Sequence, residues 1–386
     1  MKRIFLMVCD SLGIGSSEDA HNFGDAGSNT LLHTLQNSKN SFPNLQKLGL
    51  FNLIDIPNIS AHPSPQGFYS KLSEKSNGKD SMTGHWELMG MVMKEAFKTF
   101  PNGFPLDLID QIKKISKRGI IGNRVASGTQ IIEELGELHK KSGDLILYTS
   151  ADPVLQIAAH EDIAPLEELY RICQSVRDIT KEGSSILGRI IARPFVDNKD
   201  NGPKFMRTKN RRDFALTPPH NLLNDLERDF CVIAVGKIAD IFANSGISEK
   251  IKTYGNQDGF KKTLDLLKRD FNGLCFINYI DFDELFGHRR DRAGYERAIL
   301  EFDNFLGDFL PQIREDDLLL ITADHGNDPT FKGSDHTRED VPLLCFSPSF
   351  QNKEGGYLHE FSEFSDVSRI IYTNFYEPKR FLDLFK

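Results

Sequence analysis

Three apolar runs in this chain each stop at an acidic residue, and no other feature limits its fold as much. Ile4–Cys9 runs into Asp10, Leu274–Ile280 into Asp281 and Asp283, and the run at 318–323 into Asp324. Short uninterrupted apolar runs are expected of strands buried on both faces, as in parallel sheets. Leu145–Tyr148, Cys231–Val235 and Val341–Phe346 carry the same expectation. Stretches with helical spacing separate many of them. Gly128–Lys141 repeats Ile131, Ile132, Leu135 and Leu138, and Arg292–Phe309 repeats Ala298, Ile299, Phe302 and Phe305. Strands alternating with helices predict an α/β fold with a doubly wound, mostly parallel sheet.

Ligands of such a sheet bind beyond the carboxyl ends of its strands. A single aspartate there is explained by a helix cap or a turn. Several together repel one another unless a cation holds them. Histidines accompany these acids: His288 follows Asp283 by five residues, His325 adjoins Asp324, and His336 adjoins Asp335. Imidazole mixed with carboxylate suits zinc, manganese or iron better than calcium. Asp10, Asp283, His288, Asp324, His325 and His336 are therefore six candidate ligands. Six are too many for one tetrahedral site. They suit a pair of metals roughly 3.5–4 Å apart, the arrangement that serves in-line phosphoryl chemistry. Spacing does not divide them between the two.

A candidate nucleophile lies in Gly78-Lys-Asp-Ser-Met-Thr-Gly-His-Trp-Glu-Leu-Met-Gly90, which reads as a loop opening a helix. A hydroxyl there is activated by metals and by the positive end of the helix dipole, and a phosphoryl group would meet backbone N–H groups. On local sequence Ser81 and Thr83 serve equally well as helix caps.

The chain has 386 residues, long enough for two domains or for one with a sizeable insert. Phe100-Pro-Asn-Gly-Phe-Pro105 and Leu216-Thr-Pro-Pro-His220 read as linkers. They predict a core of residues 1–100 and 218–386, interrupted by a smaller α+β cap at 101–217. Met1-Lys2-Arg3 before an apolar run imitates a signal peptide, but Asp10 ends the run after six residues, short of the roughly 7–15 a signal core needs. No run reaches the roughly 18 residues of a membrane span. The five cysteines form no CxxC pair. A reduced, cytoplasmic setting is expected, with no membrane partner.

At this point the motifs converge on a known family. Asp10, Thr83-Gly-His-Trp-Glu87, Asp283 with His288, Asp324-His325 and His336 resemble the metal and nucleophile pattern of the alkaline phosphatase superfamily. Four longer segments resemble its phosphopentomutase branch: Val8–Gly15, Gly78–Glu87, Ser150–Glu161 and Asp281–Asp291. The resemblance spans nearly the whole chain. It implies one metal held by Asp10, Asp324 and His325, another by Asp283, His288 and His336, and Thr83 carrying the transferred phosphoryl group. Manganese is the metal usual in that family. The resemblance also implies that Asp152, Arg189, the Ile191 backbone, Arg207 and Lys237 grip a pentose phosphate, with Asp152 on the sugar hydroxyls. Asp197–Lys204 is longer here than in the family.

The implied reaction interconverts ribose 1-phosphate and ribose 5-phosphate, with their 2-deoxy equivalents, through a phosphothreonine and a bisphosphate. Glucose 1,6-bisphosphate or a similar compound would prime Thr83. Rival readings are a hydrolase on the same core, a phosphoglycerate mutase, and a metal-binding protein without catalysis. No nucleic acid or protein partner is implied, and a monomer is expected. The net charge of −8 disfavours nucleic acid. It also sits awkwardly with an anionic substrate until it is divided. Residues 101–217 carry 18 bases and 16 acids, so the acidity belongs to the remainder, where the candidate ligands lie.

Overall fold

A computed structural model describes residues 1–150, 153–181, 186–199, 202–350 and 355–385. They divide into two compact units, Met1–Ala96 with Pro218–Lys386, and Phe97–Thr217. In chain order the strands are β1 (Arg3–Cys9), β2 (Phe68–Leu72), β3 (Ile120–Val125), β4 (Leu145–Thr149), β5 (Val154–His160), β6 (Arg189–Asp197), β7 (Phe205–Arg207), β8 (Arg212–Ala215), β9 (Cys231–Val235), β10 (Glu249–Ile251), β11 (Gly273–Tyr279), β12 (Asp317–Thr322) and β13 (Val341–Phe346).

The larger unit holds a seven-stranded sheet in the order β10-β9-β11-β1-β12-β13-β2. The five strands from β10 to β12 are parallel. Every residue of β1, β11 and β12 is buried, which explains why they are apolar but for a few paired polar residues such as Arg3, Asp317 and Asn278. The Arg292–Phe309 helix buries Tyr295, Ala298, Ile299, Phe302, Phe305, Leu306 and Phe309 along one stripe. Phe5 of β1 meets Phe309 edge to face at 5.5 Å, and Tyr279 meets Phe302 at 5.6 Å. Each such aromatic contributes roughly 1.5–3 kcal/mol by leaving water. The register pairs Cys9 with Tyr279 and Val8 with Thr322. Three strands thus end at one level, with Asp10, Asp281 and Asp324 just beyond.

Two strands depart from the expected parallel arrangement. β13 runs antiparallel to β12 and to β2. A parallel return needs a crossover, usually a helix. Residues 323–340 form none; they fold back as a loop pinned by the bridges Gly326–Thr337 and Ser16–Glu339. β4 belongs to the other unit, where it lies parallel to β3 and antiparallel to β5.

The smaller unit is a six-stranded mixed sheet, β3-β4-β5-β6-β7 with β8 on β6. Alternate residues feed two cores. Leu145, Leu147, Leu155 and Ile157 pack with Leu108, Ile112, Leu169 and Ile172. Ile146 and Tyr148 pack with Ile131, Ile132, Phe195 and Phe205. The five cysteines are unpaired, and all but Cys231 are buried. No described helix is long and apolar enough to cross a membrane.

An ion pair clamps the amino ends of β1 and β12. Arg3 and Asp317 are register partners and fully buried. The guanidinium donates to both carboxylate oxygens, at 2.7 and 2.6 Å, and to the carbonyls of Leu267 and Arg269. Removing one partner strands a buried charge, which typically costs about 3–5 kcal/mol. Asp317→Ala is expected to lose about that much stability in urea unfolding of the metal-free protein, and a loss under about 1 kcal/mol would show that the buried guanidinium finds water or another acceptor.

Candidate metal centre

The carboxyl edge of the core sheet gathers all six candidate ligands. Asp10 leaves β1 with its N–H on the Tyr279 carbonyl at 3.2 Å. Ser11 then takes a positive φ of 73°, a sparsely populated conformation for a residue with a Cβ. That turn aims the Ser11 N–H at Asp324 Oδ1, 3.0 Å away. After β11, residues Phe282–Gly287 form a π-helical turn. Its i→i+5 bond, His288 N–H to the Asp283 carbonyl at 3.0 Å, stacks these two residues. The loop between β12 and β13 delivers Asp324, His325 and His336.

The three imidazoles share one mode of attachment. Each directs Nδ1 at a backbone carbonyl: His288 at Ser334 (2.7 Å), His325 at Gly326 (3.1 Å) and His336 at Lys79 (2.9 Å). A carbonyl only accepts, so Nδ1 carries a proton, and Nε2 is the ring atom left to bind a metal when the imidazole is neutral. The Nε2 atoms converge. His325 Nε2 lies 3.6 Å from Asp10 Oδ1 and 3.2 Å from Asp324 Oδ2. His288 Nε2 lies 3.1 Å from Asp283 Oδ2, and His336 Nε2 lies 3.5 Å from Asp283 Oδ1. The Nε2 atoms of His288 and His336 face each other at 3.1 Å.

Among the described residues, two groups have donor atoms within 4.8 Å of one another: Asp10, Asp324 and His325, and Asp283, His325 and His336. His288 joins the second through Asp283 and His336. Asp10 Oδ1 and Asp324 Oδ2 are buried without a hydrogen-bond partner. Orphaned carboxylate oxygens and opposed imidazole lone pairs are the donors that a pair of borderline divalent cations requires. The residues fit such a pair.

Without cations the charges lean on one another. Burial, followed by the charges of Asp324 and Asp283, pushes the Asp10 carboxyl up to about 6. Burial also opposes ionisation of Asp324, but the imidazoles of His325 and His85 prevail and hold it below the carboxylate range. Asp283 is held down likewise against burial, by His336 and His288. Burial disfavours the imidazolium of His325, yet Asp324, Asp283 and Asp10 keep its proton bound well above the usual histidine range.

Beside this cluster lies the helix Ser81–Leu88. Neither Ser81 nor Thr83 caps it. Asp80 does, accepting from Met82 and Thr83 N–H at 3.1 and 3.2 Å. Thr83 is fully buried and its hydroxyl donates to Asp80 Oδ2 at 2.5 Å. The Ser81 hydroxyl lies 3.1 Å from His325 Nε2. Gly84 packs against the Asp324 carbonyl so closely that a Cβ would overlap it, so the helix must carry glycine there. His85 Nδ1 lies 2.8 Å from the Ser81 carbonyl and 3.1 Å from Asp324 Oδ2. Glu87 accepts the Lys75 and Ser76 N–H groups and latches the preceding turn.

The residues implied to grip substrate belong to both units. Asp152 lies outside the described residues. Lys237, in the larger unit, pairs with Glu284 at 2.8 Å. Ile191 is buried in β6 between Gln156 of β5 and Asp213 of β8. Arg189 also belongs to β6, 3.8 Å from Asp213, and Arg207 ends β7. Arg207 and the buried Tyr148 hydroxyl both crowd Gly128, at the start of the Gly128–Ser142 helix. Arg193 donates to Gln156 at 3.0 Å, and Arg211 grips Asp213 with two bonds of 2.7 Å. Burial, then Arg211, brings Arg193 down to about 10.

Asp80, Asn278, Asn327 and Arg338 join the centre without being singled out in the sequence. Asn327 donates to Asp283 Oδ1 at 2.6 Å. Arg338 ties the His336 loop to the carbonyls of Ser76 and Gly78, at 2.9 and 2.6 Å. Asn278 carried the one available signal, a polar side chain inside an apolar strand, where burial demands a partner.

Residues 2–377 match the sequence profile of the metalloenzyme superfamily. Among solved structures, the chain is similar to the PH0037 protein of Pyrococcus horikoshii, with 15% identity over 96% of each chain and a TM-score of 0.48. It is similar to phosphoglycerate mutase of Leishmania mexicana, with 13% identity over 96% of this chain and 94% of that one, TM-score 0.47. It is also similar to alkaline phosphatase of the Antarctic bacterium TAB5, with 12% identity, coverage of 96% and 97%, and TM-score 0.36. Because the family profile runs almost from end to end, the chain belongs to the metalloenzyme superfamily.

Proposed function

We propose that this chain is a phosphopentomutase, which interconverts ribose 1-phosphate and ribose 5-phosphate and their 2-deoxy equivalents. The observation that carries the proposal is the convergence of three carboxylates and three Nδ1-anchored imidazoles beside a hydroxyl-bearing helix start. Asp10, Asp324 and His325 would hold one divalent cation, and Asp283, His288 and His336 the other. Bound there, manganese would offset charge on a transferring phosphoryl group and lower the pKa of nearby hydroxyls.

The chain's own residues divide the remaining work. Thr83 carries the phosphoryl group between turnovers, after priming by a bisphosphate such as glucose 1,6-bisphosphate. The free hydroxyl of the sugar phosphate attacks phosphorus; its O–P bond forms as the Thr83 Oγ1–P bond breaks, and its proton is released. Asp80, hydrogen-bonded to the Thr83 hydroxyl, stands where the proton of the regenerated alcohol can be held. The bisphosphate then returns its other phosphoryl group to Thr83. Arg189 and Arg207, within a cluster that includes Arg193 and Arg211, suit a sugar phosphate because guanidinium binds phosphate in bidentate fashion.

With ribose 5-phosphate and manganese, the expected product is ribose 1-phosphate; free phosphate as the main product would indicate a hydrolase instead. Thr83→Ala is expected to cut transfer by about 10³-fold or more, and Ser81→Ala by less than about 10-fold. The reverse order would assign the phosphoryl group to Ser81, whose hydroxyl lies beside His325. Metal uptake must displace the proton that the carboxylates hold on His325, because only neutral imidazole binds a metal. Binding is therefore expected to release protons and to tighten as pH rises from about 6 to about 8. Calorimetry in buffers of different ionisation enthalpy checks this, and a pH-independent affinity would contradict it.

A further inference from the structure

His85 and Asn278 belong to neither ligand group, yet both are buried among them. Asn278 Nδ2 lies 2.9 Å from Asp10 Oδ2 and 3.3 Å from His85 Nε2. His85 Nδ1 lies 2.8 Å from the Ser81 carbonyl and 3.1 Å from Asp324 Oδ2. The roles along this chain follow from its ends. The Asp10 carboxylate can only accept, so the Asn278 amide must turn its nitrogen, not its oxygen, toward Asp10. The second hydrogen of that nitrogen then faces His85 Nε2, which must supply a lone pair. The His85 proton is thereby placed on Nδ1, where the Ser81 carbonyl receives it, and the same edge of the ring lies 3.1 Å from Asp324 Oδ2. One amide and one imidazole thus touch two carboxylates from different strands and the first turn of the Thr83 helix.

We propose that Asn278 and His85 are a positioning pair that fixes the donor oxygens of Asp10 and Asp324, and so governs one of the two metal sites alone; this rests on the two-metal centre proposed above. The neighbouring site, built on Asp283, takes its outer hydrogen bond from Asn327 instead. Partners that orient ligands from behind typically control metal affinity by about 10–100-fold.

The test is manganese titration of the metal-free chain, with free manganese followed by electron paramagnetic resonance. Wild type is expected to take up two equivalents. His85→Phe keeps a ring against Phe276 but removes both nitrogens. It is expected to weaken one equivalent by about 10–100-fold and leave the other unchanged. His85→Asn, whose amide nitrogen replaces Nδ1, is expected to recover much of that loss. Asn278→Leu gives the same one-site loss and serves should the phenylalanine variant not fold. A structural role alone would lower the unfolding midpoint of the metal-free protein without singling out one equivalent. Variants that bind both equivalents as wild type does, or lose both equally, would overturn the positioning pair. A wild-type chain that takes up no manganese would overturn the metal centre itself, and the pair with it.

Discussion

The structure depends on a repulsion that it has to contain. Asp10, Asp283 and Asp324 reach one buried edge of the sheet, where carboxylates raise one another's affinity for protons. The fold answers in two layers. Imidazoles face the carboxylates directly, and backbone carbonyls hold those imidazoles from behind. The result is a cluster whose carboxylate oxygens and Nε2 atoms point inward while each Nδ1 points outward. A divalent cation satisfies such a cluster at once, whereas protons satisfy it only piecemeal.

The antiparallel return of β13 belongs to the same solution. A helix between β12 and β13 would have carried residues 323–340 over the face of the sheet. Folded back as a loop, they remain at the carboxyl edge, where His325 and His336 stack with ring centroids 3.8 Å apart. Arg338 and Lys79 then bind the loop to the turn before the Thr83 helix. The loop between β12 and β13 and the hydroxyl-bearing helix are fastened at several points, among them the close contact of Gly84 with the Asp324 carbonyl.

Much of this was legible in the sequence because burial writes a clear signature. Strands covered on both faces are largely apolar, so their boundaries with Asp10 and Asp324 stand out, as does the one before Asp281. The direction of β13 was not legible. An apolar run records burial, not polarity, and only the absence of a helix in the preceding loop decides it. His85 and Asn278 were obscure for a different reason. Their partners lie across the fold, with Asn278 and His85 themselves 193 residues apart. No local pattern encodes a hydrogen bond of that span. The helix cap was nearer to hand but ambiguous, since Asp80, Ser81 and Thr83 all belong to the residue types that cap.

The place of β1 in the sheet has a consequence for how the chain is made. β1 leaves the ribosome well before its two neighbours, β11 and β12, which begin at Gly273 and Asp317. Until then an apolar strand has both edges unpaired, a state prone to association with other chains. The smaller unit draws every strand from residues 120–215 and meets no such delay. Synthesis therefore finishes the insert while the core still lacks its centre. Asp10 waits for more than 300 residues before His325 and His336 exist to receive it. The cluster at the sheet edge is therefore assembled only after β12 and its following loop have been made, and a product truncated before β12 would carry a finished insert and a core sheet without its central pairing.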